Sequence, residues 1–157
     1  MRYIWQDYIP GSMDYVEEWL DEEAVHATGL AKGWREFDAY RKTEGGCAAG
    51  ENYWCKVISL KEDNSRPFAA IAFGMWEDRA TVMKVLVAPK ERGHGKGTAL
   101  LRELLENGPE IFGHEIRRAE AVISPHTPVP QAVFQKAGFL LDHVRQEGDA
   151  LHYTYQK

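Results

Sequence analysis

Cysteine is scarce in this chain of 157 residues: there are two, Cys47 and Cys55. No metal-binding spacing of Cys and His surrounds them, so no metal is expected. So low a density also excludes a disulfide-stapled scaffold, and both are read as free thiols of a reducing cytoplasm. Long apolar runs are missing. The most apolar stretch, Phe68 to Trp76, is too short to span a bilayer. The first residues, Met1 to Asp7, hold no apolar core of a signal peptide. A basic excess is missing as well. The net charge is −5 and the pI about 5.7, which excludes a general nucleic-acid binder. The acidic surplus is local: residues 1–60 carry 11 acidic and 6 basic side chains, and the remainder carries equal numbers. Internal repeats, low-complexity tracts and interdomain linkers are absent too. A single cytoplasmic domain over residues 1–157 is the expectation.

What is present suffices for a core. Apolar residues make up 44% and aromatics 11%. Tyr3 to Ile9 reads as a first strand closed by Pro10-Gly11. Val16, Trp19, Leu20 and Ala24 recur at helical spacing, so a helix is expected over Asp14–Ala27 with Gly29 as its cap. Trp34, Phe37 and Tyr40 suggest a second helix, and Gly45, Gly46 and Gly50 a loop. Asn52–Leu60, Phe68–Trp76 and Ala80–Val87 read as strands, separated by polar turns at Glu62–Pro67 and Glu77–Arg79. A helix over Thr98–Glu106, a strand over Ala119–Ser124 and a helix from Pro128 to Lys136 follow. Leu140–Gln146 and Leu151–Gln156 alternate as two last strands around Gly148-Asp149. The order is strand, two helices, three strands, helix, strand, helix, two strands.

The most informative segment is Val85-Leu86-Val87-Ala88-Pro89-Lys90-Glu91-Arg92-Gly93-His94-Gly95-Lys96-Gly97-Thr98. An apolar strand runs through a glycine-rich turn into a helix. The first N–H groups of a helix have no internal partner and carry the positive end of its dipole, which suits a phosphate. Gly93, Gly95 and Gly97 let backbone approach a ligand. Arg92 and Lys96 add charge, and His94 a donor. The spacing fits neither G-x-x-x-x-G-K-[ST], because Lys96 precedes the last glycine, nor G-x-G-x-x-G, because Thr98 or Leu100 stands at the sixth place.

What does fit is Arg92-x-x-Gly95-x-Gly97 between Val87-x-Pro89 and Ala99-Leu100-Leu101. This resembles the pyrophosphate loop of the GNAT (Gcn5-related) N-acetyltransferases. Phe134-Gln135-Lys136-Ala137-Gly138-Phe139 resembles the second motif of the same family, which ends in K-x-G-F. Three positions depart from it: the usual Asn reads Thr127, the usual Ala reads Pro130 and the usual Tyr reads Phe134. In many members that Tyr hydroxyl is proposed to protonate the departing CoA thiolate, and Phe134 has none.

The resemblance implies an α/β (α+β) fold with a central mixed, mostly antiparallel sheet of six to seven strands. About four helices would flank it, and it would splay at its two central parallel strands. It implies acetyl-CoA as cosubstrate. Pantetheine would pair with backbone of Val85 to Val87, beside Leu86. Pyrophosphate would rest on N–H groups from Arg92 through Gly93, His94, Gly95, Lys96 and Gly97 to Thr98. Thr127 and Phe134 would border the cofactor. The amine would attack the thioester directly, helped by proximity and oxyanion stabilisation.

Glu120, a lone carboxylate in the apolar strand Ala119–Ile123, is the candidate base, weighed against an exposed strand-edge residue. His126, at that strand's open end, is the second candidate acid or base. Glu77 and Asp78 could reach the acceptor, though a polar turn explains them as well. Tyr153 and Tyr155 could replace the missing hydroxyl. Cys55 has only Lys56 as a basic neighbour, so a buried inert thiol is preferred to an acyl-carrying one.

The early helices of the family line the acceptor site. Here they bring Asp14, Glu17, Glu18, Asp21, Glu22 and Glu23 with Trp19, Trp34 and Tyr40, walls that would suit a cationic acceptor, unless they are simply a solvated face. The expected partner is a small-molecule or peptide amine, with no nucleic acid and no membrane, in a monomer or homodimer. Two other readings stay open: a non-catalytic acyl-CoA-binding module, and a nucleotide-binding module of another fold.

Overall fold

In a computed structural model, residues 1–43, 52–123, 128–144 and 150–157 are described. Seven strands form one sheet in the order β1-β2-β3-β4-β5-β7-β6. They are β1 (Tyr3–Asp7), β2 (Tyr53–Leu60), β3 (Asp63–Trp76), β4 (Arg79–Val87), β5 (Arg118–Ile123), β6 (Leu140–Val144) and β7 (Leu151–Gln156). All neighbours are antiparallel except β4 and β5. The helices among the described residues are α1 (Tyr15–Glu18), α2 (Glu22–Thr28), α3 (Trp34–Thr43), α4 (Lys96–Glu106), α5 (Gly108–Phe112) and α6 (Pro128–Lys136).

Alternation along each strand feeds two apolar layers. On one face Ile71, Phe73, Val82, Ala119, Ala121 and Tyr153 meet Leu100, Leu101, Leu104 and Leu105 of α4, Ile111 of α5 and Phe134 of α6. On the other, Val57, Ala70, Ala72 and Leu86 meet Val16, Trp19, Ala24, Leu30 and Trp34 from the α1–α3 segment. Two buried acids fix helices to strands. Glu103 of α4 accepts from the Arg2 amide at 2.6 Å and from Trp5 Nε1 at 2.7 Å. Asp38 of α3 accepts from the Tyr53 hydroxyl at 2.9 Å and lies 2.8 Å from Lys42 Nζ.

Six helices stand where about four were expected, for two local reasons. The helix read over Asp14–Ala27 breaks because Asp21 is extended, with ψ −178°, and its carboxylate caps a new helix through the Ala24 N–H at 2.9 Å. Helix α5 lies in a stretch with no sequence assignment. It is begun by Gly108-Pro109 and stopped by Gly113 in the left-handed region at φ +87°. A Cβ at Gly113 would meet nothing within 4 Å, so a substitution there reports conformational strain alone. Gly113→Ala is expected to cost about 1 kcal/mol and to lower the melting temperature by roughly 2–4 °C in a thermal melt.

The turn read at Glu62–Pro67 is shorter than expected, with β3 starting at Asp63. Pro67 has no N–H to give a ladder, and it pairs with Ser59 between two register shifts, where the ladder is already interrupted. The expected loop residues Gly45, Gly46, Gly50, Gly148 and Asp149, and also Cys47, His126 and Thr127, lie outside the described residues.

Candidate active site

The parallel pair is short. β4 and β5 register only at Arg79–Arg118, Ala80–Ala119 and Thr81–Glu120, and beyond Thr81 they part. A register shift in the β3–β4 pair lies at the same level, with Val82 opposite Phe73 and Lys84 opposite Ala72, so Met83 is the extra residue. The divergence opens a cleft of about 1050 Å³. Its walls are Val82 to Val87 of β4 and Ala121 to Ile123 of β5, with Thr28 and Gly29 at the end of α2. Gly93, Gly95, Lys96, Gly97, Thr98 and Phe134 also line it.

Backbone polarity along β4 follows from one hydrogen bond. The Ala88 N–H donates to the Phe68 carbonyl at 2.7 Å. In an antiparallel ladder, bonded and non-bonded pairs alternate. Leu86 and Lys84 therefore pair with β3, whereas the backbones of Val85 and Val87 turn toward the cleft. The Val87 carbonyl is already taken by Arg92 Nε at 2.9 Å. What β4 offers there is the Val87 N–H and both polar groups of Val85.

The other end of the cleft is the start of α4. Gly95 is its N-cap, left-handed at φ +74°, and no side chain caps the helix. The first bond into the helix runs from Ala99 N–H to the Gly95 carbonyl at 3.0 Å, so the N–H groups of Lys96, Gly97 and Thr98 precede it. Helices α1, α2, α3 and α5 each carry a Glu in their first turn, and α4 carries no acidic residue there. Its dipole is left without a resident counter-charge.

The side chains of the loop are more occupied than the sequence suggests. Arg92 reaches both Asp21 oxygens through one terminal nitrogen at 2.8–2.9 Å, the Trp19 carbonyl through the other at 2.7 Å, and Val87 as above. Its guanidinium pins the loop to the α1–α2 junction. The Ala24 N–H, then Arg92, hold the Asp21 carboxyl below the usual carboxylate range. Lys96 is bonded to Glu91, which lowers the Glu91 carboxyl, and lies over the Phe68 ring. His94 is exposed and faces a neighbouring hollow with Arg2 and Lys61. What the loop leaves without a side-chain partner is the set of backbone N–H groups at the start of α4.

Glu120 sits where β4 and β5 separate, on the sheet face opposite α4, because Ala119 and Ala121 take the α4 side. Its carboxylate accepts from Thr81 Oγ1 at 3.0 Å and lies 3.2 Å from His152 Nε2. Burial pushes its pKa up, but bonds from Thr81 and His152 and the Arg79 charge outweigh that, and the net direction is down. His152 also lies 3.7 Å from Asp142 through Nδ1. Sequence reading missed His152 because the carboxylate beside it is brought there only by the β5–β7 pairing of Val122 with His152.

Other expected contributors are placed elsewhere. Asp78 pairs with Arg118 at 2.8 Å at the closed end of the splay. Phe134 packs edge-on against Phe139 at 5.0 Å while bordering the cleft. The Tyr153 hydroxyl is met by Gln135 Nε2 at 3.3 Å from α6, and Tyr155 lies against Phe139. Cys55 is buried, accepts from Trp34 Nε1 at 3.2 Å, and burial pushes its thiol up to about 12, so it is no nucleophile. The acids of the early helices are partly committed: Glu17 caps α3 through the Trp34 and Arg35 N–H groups, and Asp21 caps α2. Trp34 is fully buried and walls nothing.

A family model described as the acetyltransferase (GNAT) family matches residues 13–139. The chain belongs to the GNAT acetyltransferases. Among solved structures, this GNAT chain is similar to the spermidine N-acetyltransferase of Vibrio cholerae in complex with CoA and spermine. The TM-score is 0.71 at 11% identity, covering 99% of this chain and 95% of that one. It is also similar to the aminoglycoside acetyltransferase AAC(6')-Ib bound to coenzyme A and kanamycin. There the TM-score is 0.70 at 18% identity, over 99% and 95%. Such low identities speak for the fold, a mixed seven-stranded sheet with one parallel pair. A curated relative, the L-2,4-diaminobutyric acid acetyltransferase of Nocardia farcinica (strain IFM 10152), is 40% identical over 57 residues, and the match spans 36% of this chain and 28% of that protein. Among the described residues no helix is long and apolar enough to cross a membrane.

Proposed function

We propose that this GNAT chain, acting as one domain over residues 1–157 in the cytoplasm, moves an acetyl group from acetyl-CoA to the amine of a small molecule or peptide. One observation carries the reading. The backbone edge at Val85 and Val87, of which only the Val87 carbonyl is taken, and the uncapped start of α4 open into the same cleft. An extended amide-bearing chain ending in a pyrophosphate needs both kinds of donor at once.

The amine nitrogen attacks the thioester carbonyl carbon. The C–N bond forms, the C–S bond breaks, and CoA leaves as thiolate. Backbone N–H groups on the β4 edge favour the charge that develops on the carbonyl oxygen. For the amine proton we propose the Glu120–His152 pair, with the imidazole as acceptor and Glu120 orienting it and stabilising its cation. His126 is the second candidate. Phe134 supplies no proton, so the thiolate takes one from water.

Thermal unfolding with acetyl-CoA, ATP or NAD tests the binding step, and amine-dependent thiol release tests transfer. A shift with acetyl-CoA alone is expected. No shift at millimolar acetyl-CoA, with the protein folded, would refute the proposal, and a shift without turnover of any amine would favour a non-catalytic acyl-CoA-binding module. Glu120→Gln is expected to lower kcat by roughly 10- to 100-fold and leave acetyl-CoA affinity in place. A wild-type kcat in that variant would remove Glu120 from the mechanism.

A further inference from the structure

Lys84 is the half-buried cation of the cleft with no carboxylate beside it. It follows the extra residue Met83 on β4, next to Val85, whose backbone faces the cleft. Its ammonium donates to the Thr28 carbonyl at the end of α2 and lies 5.8 Å from the centre of the Phe37 ring. Among the described residues no carboxylate lies within 4 Å of it. Of the other cations lining the cleft, Arg92 is matched by Asp21 and Lys96 by Glu91, and Lys136 is exposed to solvent. Glu23, the remaining acid near the mouth, is exposed and stands 3.7 Å from Arg92.

Half-burying an ammonium beside an aromatic ring with one carbonyl as partner is costly, and an anion supplied by a ligand would offset that cost. Arg41 of α3 lies over the same Phe37 ring, its Cζ 5.6 Å from the centre. Burial, then the Arg41 charge, push the Lys84 ammonium below the usual lysine range.

We infer that the acceptor is a small primary amine that also carries a carboxylate, and that Lys84 holds that carboxylate on the α2–α3 side of the cleft. The inference rests on the acetyltransferase reading and narrows it. Lys84 neighbours the cleft edge of β4, so carboxylate and reacting amine belong to one compact molecule, as in an amino acid. A polyamine or aminoglycoside, cationic throughout, meets Lys84 with repulsion.

The test is thiol release from acetyl-CoA with matched pairs: ornithine against putrescine, 2,4-diaminobutyrate against 1,3-diaminopropane, and phenylalanine against phenethylamine. For at least one pair the carboxylate-bearing member is expected to have a kcat/KM about 10- to 100-fold higher, as one charge-assisted hydrogen bond provides. Lys84→Met is expected to bring that ratio close to one, chiefly through KM, and Lys84→Arg to keep most of it. Lys84→Met removes a half-buried charge, so a thermal melt should show it folded and still shifted by acetyl-CoA.

Equal or better turnover of the decarboxylated member in every pair overturns the inference. So does a preference that survives Lys84→Met, or failure of every amino acid. If simple amines are acetylated while amino acids are not, the transferase reading stands without it. If acetyl-CoA neither binds nor turns over with anything, both fall.

Discussion

Thr98→Glu is expected to weaken acetyl-CoA binding on the order of 100-fold while leaving the free protein as stable as before, or slightly more so. The two effects have opposite signs because they act on the same dipole. Thr98 stands in the first turn of α4 and lines the cleft. That turn has no acidic residue and no side-chain cap. A carboxylate there is favourable to an isolated helix by about 0.3–1 kcal/mol. It also places a fixed negative charge among the N–H groups of Lys96, Gly97 and Thr98 that a pyrophosphate would use. Losing charge-assisted hydrogen bonds of about 1.5–3 kcal/mol, at 1.4 kcal/mol per tenfold, gives the expected factor. Calorimetric titration with acetyl-CoA and a melt of the free protein measure the two halves separately. Unchanged affinity in the folded variant would show that the anion does not sit at this helix start.

Arg92→Ala is expected to raise the dissociation constant for acetyl-CoA by roughly 10- to 30-fold and to lower the melting temperature by about 4–8 °C. Arg92 joins three places that sequence keeps apart: its own strand end at Val87, the Trp19 carbonyl and the Asp21 carboxylate. Its removal leaves two partly buried carbonyls without a donor and unpins the loop that aims the α4 N–H groups. Arg92→Lys is expected to restore less than half of the loss, because one ammonium cannot span three acceptors that a planar fork reaches together. A full rescue by Lys would mean that charge, and not geometry, is what the position supplies.

The same clamp gives a pH dependence with a definite sign. Asp21 has a folded-state pKa below its ordinary value, owing first to the Ala24 N–H and then to Arg92. Its contribution is therefore present above the ordinary carboxylate pKa and is lost as pH falls through the lower folded value. Melting temperature should drop in acid below about pH 4, and Asp21→Asn should flatten that part of the curve.

Periodicity and punctuation made most of the architecture legible. Apolar residues at helical spacing in α4, β-prone apolar runs in β2 to β5, and glycines at helix ends are local signals, written within a few residues of the structure they specify. The glycine loop was legible for the same reason: strand, turn and helix start are contiguous, and an uncapped helix start is suited to an anion. The split of the first helix was less visible, since Asp21 at a cap and Asp21 inside a helix look alike in composition.

The partners across the sheet were not legible. Glu120 and His152 meet because β5 pairs with β7, and Arg92 reaches Asp21 because α2 packs beside the loop. Nothing in the strand pattern singles out Lys84, and its contacts with Thr28 and Phe37 come from the packing of β4 against α2 and α3. By itself the sequence determined most of the elements, the family and the strand–glycine turn–helix segment, because these rest on short-range patterns of polarity and backbone freedom. Tertiary structure alone decided which charges neutralise each other and which half-buried cation of the cleft has no carboxylate beside it. Electrostatic pairing depends on distances of a few ångströms between residues far apart in the chain, and only the folded sheet sets those.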